Sequence, residues 1–300
     1  MMTRRALEFA ALVSAVSGAI AEPELADAKS RLNAAKTWGC QFQNLNVAEA
    51  AKSALDLIVI DPDAEDTHGR RLSASDVALL KQKPDGGRRT VLAYLSVGEA
   101  ESYRSYWQNS WRADPPEWLG PENPNWPGSF VAHYWTDAWK RLLFGTPQSG
   151  LDRILDLGFD GVFLDRVDAY GDLGAERATA AADMAHLVEE LARYARARDH
   201  SFLLIGQNSE ELLRNNTYLA AIDAVSKESL LYGLNEPGVL NTDEQIAWSL
   251  SRLKSAQRQG RPILAIEYLD DPSTIEAART RLSDLGFIPF FANRMLDRLP

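Results

Sequence analysis

The chain has a single cysteine, Cys40. That excludes an intramolecular disulfide and a zinc site built on thiolates. Histidine is nearly as scarce. His68, His133, His186 and His200 share no HExxH motif and no helical pair spacing, so a histidine-based metal site is not expected. No apolar run approaches the ~18 residues that suggest a membrane span. There is no G-x-S-x-G elbow, no P-loop, and no G-x-G-x-x-G after the first strand-like run. Serine-hydrolase, nucleotide and dinucleotide chemistry therefore lack their motifs, and no cofactor is expected. Basic residues are also in deficit. Lys and Arg number 32 against 42 Asp and Glu, a net charge of −10, which argues against a nucleic-acid partner. Internal repeats and low-complexity linkers are missing too.

What is present begins with an address. MMTRR supplies two arginines, ALEFAALVSAVSGAIA is small and apolar apart from Glu8, and Ala19-Ile20-Ala21 offers an A-x-A cleavage site. Residues 1–21 are expected to be a secretory signal peptide, and 22–300 one domain released to the periplasm or beyond the cell. The mature chain would hold 30 basic and 41 acidic residues, a net −11. Without disulfides it must rely on its core, which a domain of this size can supply.

Composition is that of a globular protein, 45% hydrophobic and 25% charged. Short β-branched or aromatic runs alternate with helical patterns. The runs lie at 38–43, 55–60, 91–96, 161–164, 202–207, 222–227, 262–267 and 287–291. Helices are expected at about 46–54, 74–83, 136–157, 175–199, 242–259 and 273–285, with a short helical piece at 209–215. Such alternation means βα units and a parallel sheet. LIVI (57–60) suits a strand buried on both faces. Eight strands in about 265 residues fit an α/β (β/α)8 TIM barrel, with an open doubly wound sheet as the alternative. One segment breaks the rhythm. After the third run come about forty residues holding six of the eight tryptophans. A connection that long is usually functional. Its aromatic, proline-rich surfaces suit stacking against sugar rings, or else a hydrophobic cover.

A barrel carries its chemistry at the C-terminal ends of its strands. Read there, the chain delivers Asp61, Ser96 with Glu99, Asp165 with Arg166 and Asp168, Gln207 with Asn208, Glu228, Glu267 with Tyr268, and Arg294. Any one could be a helix cap or a polar loop residue. Together they put several carboxyls at one mouth, where mutual repulsion separates their pKa values. Paired carboxyls of that kind serve glycoside hydrolysis, one as acid and the other as nucleophile or base. A metal held by Asp61, Asp63 and Asp165 is a weaker alternative. Asp160 and Asp223 precede their strands and belong to the opposite, structural end. Cys40 reads as inert packing.

The stretches AYLSVGEAESYRSYW (93–107), PEWLGPENPNWPGSFVAHYW (116–135), GFDGVFLDRVDAY (158–170), IGQNSEELL (205–213), IDAVSKESLLY (222–232) and AIEYLDD (265–271) resemble the endo-α-1,4-polygalactosaminidase-like glycoside hydrolases of family 114. The resemblance covers nearly all of residues 22–300. It implies a (β/α)8 barrel and cleavage within α-1,4-linked, galactosamine-containing polysaccharide, a cationic amino-sugar polymer suited to an acidic protein. It also implies a catalytic Asp after the fourth run and a Glu after the sixth, here Asp165 and Glu228. Asp165 is expected to be the ionised nucleophile, held by Arg166 or another arginine. Glu228 is expected to be the acid/base, raised in pKa by burial and by Asp165. Asp61, Glu99, Asp168 and Glu267 are expected to hold sugar hydroxyls or amines. Tyr94, Trp126, Arg166, Asn208, Tyr268 and Arg294 are expected as further substrate contacts. Lys227 should point away from the barrel interior by strand alternation. A chitinase-like site would need D-x-D-x-E where this chain has Asp165-Arg166-Val167-Asp168. A non-catalytic polysaccharide-binding barrel is the other alternative.

Overall fold

A computed structural model describes residues 27–65 and 69–300. The expected signal peptide lies outside the described residues. Eight parallel strands make one sheet: β1 (Trp38–Gln41), β2 (Leu57–Ile60), β3 (Thr90–Ser96), β7 (Gly161–Asp165), β8 (Leu203–Gln207), β9 (Ala224–Glu228), β10 (Ile263–Glu267) and β11 (Ile288–Phe291). They lie side by side in chain order, with helices between them, as a (β/α)8 barrel requires. Between β3 and β7, the strands β4 (Glu99–Glu101), β5 (Leu119–Glu122) and β6 (Ser129–Ala132) form a separate antiparallel sheet, ordered β4-β6-β5.

Strand alternation sorts the apolar residues into two cores. Trp38, Cys40, Val59, Leu92, Phe163, Ile205 and Ile266 fill the barrel interior. Their neighbours Ile58, Ile60, Val91, Val162, Leu164 and Leu204 join the layer between sheet and helices. Both faces are dry, which is why the strands read as unbroken apolar runs. Gly161 opens β7 because a Cβ there would lie 2.4 Å from the Leu203 carbonyl oxygen. The interior is closed between β1 and β11 by side chains. The Trp38 indole donates to the Ile288 carbonyl at 2.8 Å and packs against Phe290, and Phe42 N–H reaches the Leu296 carbonyl at 2.7 Å.

The helices are α1 (Ala28–Ala34), α2 (Val47–Ala51), α3 (Ala74–Leu80), α4 (Asp137–Leu143), α5 (Gly150–Leu157), α6 (Tyr170–Leu173), α7 (Ala180–Arg198), α8 (Asn216–Ala221), α9 (Asp243–Arg258) and α10 (Pro272–Asp284). The helix expected over 136–157 is two, broken where Gly145 takes a φ of +97° ahead of Pro147. The short piece at 209–215 is a 3-10 turn, Leu212–Arg214, running into α8. Among the described residues no helix is long and apolar enough to cross a membrane.

At the N-terminal end of the barrel, Asp160 and Asp223 act as staples. Asp160 accepts the Val91 N–H at 2.9 Å and pairs with Arg31 and Lys81, each at 2.9 Å. Asp223 accepts the Leu204 N–H at 3.0 Å and pairs with Arg196 at 2.7 Å. Each carboxylate ties a neighbouring strand to a helix, the structural role their place before a strand implied.

Trp38 is 1% exposed. Replacing it with Ala should cost about 3–5 kcal/mol through the cavity left at the seam. Urea unfolding followed by far-UV circular dichroism measures this, and Trp38→Phe should recover most of the loss.

Candidate active site

The parallel register places the chemistry. Ser96 pairs with Asp165, Gln207 with Ser226, and Ile266 with Glu228. Interior positions repeat every second residue. Phe163 inside therefore means Asp165 inside at the rim, and Ile205 and Ala224 do the same for Gln207 and Glu228. Each of the three strands then turns sharply through a residue in the left-handed region: Arg166 (φ +56°), Asn208 (φ +49°) and Ser229 (φ +53°). None is glycine, so each turn stores strain of order 1–2 kcal/mol. Gly98 lets the β3–β4 turn pass over this rim, since a Cβ there would meet the Arg166 carbonyl oxygen at 2.2 Å.

Above the interior core lies a cavity of about 710 Å3. Its walls include Asp165, Glu228, Asp61, Tyr94, Glu99, Trp126, Arg166, Asp168, Asn208, Tyr268 and Arg294. Eleven of the twelve residues singled out in the sequence therefore meet in one space. Eight carboxyl groups face three guanidinium groups among its described lining residues.

The twelfth, Glu267, does not reach it. Its position on β10 turns it outward, where it is wholly buried and accepts the N–H groups of Leu231 (2.8 Å) and Tyr232 (3.1 Å). It secures the loop after β9 and is not a cavity contact. Burial pushes its pKa up to about 7.

Asp165 departs from expectation in its partner. Arg166 does not hold it. That guanidinium turns to Glu99 (2.9 Å), Asp168 (3.4 Å) and Asp172 (2.5 Å). Asp165 instead accepts the Tyr94 hydroxyl at 2.9 Å. Burial, then the charges of Glu228 and Asp168, push its pKa up to about 7. Asp168 is raised to about 6 by burial, which outweighs Arg166 beside it. Glu228 accepts Asn208 Nδ2 at 2.7 Å and the Tyr268 hydroxyl at 2.8 Å.

Lys227 does point away from the interior. Its Nζ meets buried Glu210 at 2.9 Å and Asn208 Oδ1 at 3.3 Å. Asn208 Oδ1 also accepts the Glu228 N–H at 3.3 Å. Two donors on that oxygen turn the amide nitrogen toward Glu228. Lys227 thus orients the group that holds the glutamate.

Arg104 organises the opposite wall. It binds Asp61 (2.5 Å), Asp63 (3.2 Å) and Glu101 (2.7 Å), and Arg153 takes the other Asp63 oxygen at 2.6 Å. Asp61 and Asp63 are thereby engaged by arginines. Among the described residues no group of three or more His, Cys, Asp or Glu side chains could hold a metal ion. Burial raises the Asp61 pKa, with Arg104 opposing it.

The tryptophans of the insert divide. Trp107, Trp111, Trp118 and Trp139 stack in a chain with centroids 5.0–5.4 Å apart, covering the barrel flank. Trp126, 53% exposed, lines the cavity beside Tyr103. Sequence reasoning passed over Tyr103 and Glu101, and read Gln207 at its strand end without choosing it as a contact. Glu101 is 5% exposed and takes the hydroxyls of Tyr94 (3.2 Å) and Tyr103. Gln207 is 6% exposed at the rim, and its buried Oε1 has no hydrogen-bond partner among the described residues. Its interior parity with Ile205 was the readable signal.

A (β/α)8 barrel with two coupled carboxyls at the C-terminal mouth is the architecture of a glycoside hydrolase. The comparisons make this specific. The model of glycoside-hydrolase family GH114 matches residues 20–299. The chain belongs to that family and is a glycoside hydrolase. An uncharacterized protein of Deinococcus radiodurans is 36% identical over 275 residues, covering 90% of this chain and 84% of that one. One from Methanocaldococcus jannaschii is 34% identical, covering 87% and 77%. Among solved structures, the glycoside hydrolase domain of PelA from Pseudomonas aeruginosa superposes with a TM-score of 0.67 at 23% identity, covering 88% of this chain and 97% of that one. Aspergillus fumigatus Ega3, solved with galactosamine, gives 0.64 at 20% identity, covering 88% and 93%.

The Asp165 pKa implies a stability cost. Its folded value of about 7 lies above the ordinary 3.8. The unfolded chain sheds this proton first, so the contribution present at low pH is lost as pH rises through about 4 to 7. Asp165→Asn should therefore unfold later than wild type at pH 8, by roughly 1–3 kcal/mol, with the gain vanishing near pH 4. Urea titrations at the two pH values measure it.

Proposed function

We propose that the chain cuts within α-1,4-linked, galactosamine-containing polysaccharide, using Asp165 and Glu228 as its catalytic pair. One observation carries the reading: the two carboxyls end strands with one strand between them, face the same acidic cavity, and couple electrostatically. They share what glycoside hydrolysis needs, one proton to give and one carboxylate to act. The eight carboxyls of the cavity stay in excess even when Arg104 and Arg153 are counted with its three guanidinium groups, which favours a substrate whose free amines are cationic. The galactosamine in the Ega3 structure supports the same sugar class.

Burial pushes the Asp165 pKa up to about 7, so a proton stays available to the pair near neutrality. For cleavage Asp165 acts as the ionised nucleophile at the anomeric carbon, while Glu228, bearing the pair's proton, gives it to the departing sugar oxygen and later takes one back from water. Tyr94 and Tyr268 hold the two carboxyls in place. Trp126 offers a sugar face its ring, and Asp61, Glu99, Asp168 and Arg294 supply polar contacts. The apolar leader at residues 1–21 supports export to the periplasm or the medium, where such polymers are met.

Asp165→Asn and Glu228→Gln should each lower kcat on de-N-acetylated galactosamine polymer by about 10^2–10^4-fold. Mass analysis of released fragments tests this, and equal release from all three proteins would overturn the assignment. The pair needs one of its protons, whichever carboxyl carries it. With the Asp165 pKa about 7, kcat/KM should fall on the alkaline side of neutrality. A rate still climbing at pH 9 would contradict this.

A further inference from the structure

Past Glu228 the catalytic cavity opens into a second space of about 600 Å3. The two share Asp168, Asn208, Glu228 and Arg294 as walls. The far side of the second space is the N-terminal half of α9, which presents Glu244, Gln245 and Trp248. Trp248 is 41% exposed, a large ring left in water. It is nonetheless held. Arg252 stacks 3.9 Å from its ring centroid, donates to the Trp248 carbonyl at 3.0 Å, and does not line the space. The neighbouring Ser249 is buried and donates to Glu210 at 2.8 Å, which fixes α9 to the rim. A capping box of Thr242 and Gln245 fixes the start of the helix.

The position of this ring relative to Trp126 matters. Trp126 belongs to the insert after β3, and Trp248 to the helix after β9. These are the third and sixth strands around the barrel. Asp165, on the fourth, and Glu228, on the sixth, lie along the path between the two rings. A cleft with an aromatic platform beyond each side of its carboxyl pair suits a chain that enters and leaves.

We propose that Trp248, Glu244 and Gln245 form an outer subsite that takes an amino-sugar residue of the polymer on the Glu228 side of the cut. It rests on the glycosidase reading above. The exposed indole supplies a flat apolar surface for a sugar face. The Glu244 carboxylate suits the ammonium of a free amino sugar, and Gln245 Nε2, which donates one hydrogen to Asn235 at 3.2 Å, has a second for a sugar hydroxyl. Occupied together with the Trp126 side, this subsite selects internal bonds over chain ends, because an end residue would leave one platform empty.

Isothermal titration of the Asp165→Asn protein, which binds without turnover, tests the subsite with two probes: long de-N-acetylated galactosamine polymer and its trimer. Adding Trp248→Ala should weaken polymer binding about tenfold and weaken trimer binding less. Trp248→Phe should restore most of the affinity. In otherwise wild-type enzyme, Trp248→Ala should raise KM on polymer more than it lowers kcat, and shift products toward a broader size range. Unchanged polymer affinity and product sizes, in an enzyme that does cut the polymer, would overturn the subsite alone. Equal weakening of trimer and polymer would place Trp248 at the centre of the site and also overturn the outer position. A parent protein that neither binds nor cuts galactosamine polymer would overturn the substrate reading, and the subsite with it. Circular dichroism of each variant separates these outcomes from misfolding, to which an exposed position is little prone.

Discussion

The register of three neighbouring parallel strands is the constraint on which the site depends. Side chains alternate with a period of two, so β7, β8 and β9 deliver Asp165, Gln207 and Glu228 inward only in the pairing observed. A slip of one residue would turn all three into the helix layer and bring Arg166 or Lys227 inward. The apolar cores hold the register. Phe163 and Ile205 inside, with Val162 and Leu204 outside, leave no second arrangement that buries both sets. Gly161, tight against the Leu203 backbone, fixes the spacing of β7 and β8.

That geometry concentrates negative charge, and the protein manages the charge unevenly. Arginines neutralise the flanks: Arg104 serves Asp61, Asp63 and Glu101, while Arg166 serves Glu99, Asp168 and Asp172. The centre is left without a cation. Asp165 and Glu228 receive hydroxyls, a side-chain amide and, at Asp165, the Arg166 backbone N–H. An arginine against Asp165 would hold it ionised and low in pKa, and burial could no longer keep a proton near it. The cost is a buried carboxyl that destabilises the fold as pH rises. Such an exchange of stability for reactivity is common at working sites.

Much of the barrel was legible along the chain. Every expected strand is found, because a strand dry on both faces writes itself as a short apolar run. The helices were less legible: six and a short piece were expected, and ten are found among the described residues. The segment 136–157 breaks in two at Gly145 and Pro147, and α1, opened by an Asp27 cap, was not expected at all. The candidate site was legible as a set. Strand ends are polar for one shared reason, so reading them recovered nine of the eleven chosen residues that meet in the cavity, Tyr94 and Trp126 being the other two. Glu267 fell outside because its parity on β10 turns it outward, a fact its polarity does not reveal. Gln207 was read at its strand end but not chosen as a contact, although its parity was right. In the insert, composition did not separate the packed Trp118 and Trp139 from the open Trp126.

The sequence by itself determined the strand succession, the acidity, and which carboxyls stand at the rim. These are local matters, set by periodicity and by position after an apolar run. The tertiary structure alone decided the partnerships: that Arg166 reaches Glu99 and leaves Asp165 to Tyr94, that Lys227 orients Asn208, and that Trp248 stands beyond Glu228. A partnership joins residues tens of positions apart. Its distance depends on barrel closure and on three left-handed turns, which no local pattern encodes. The physical reason is the same in each case: burial and charge act through space, and only the closed barrel defines that space.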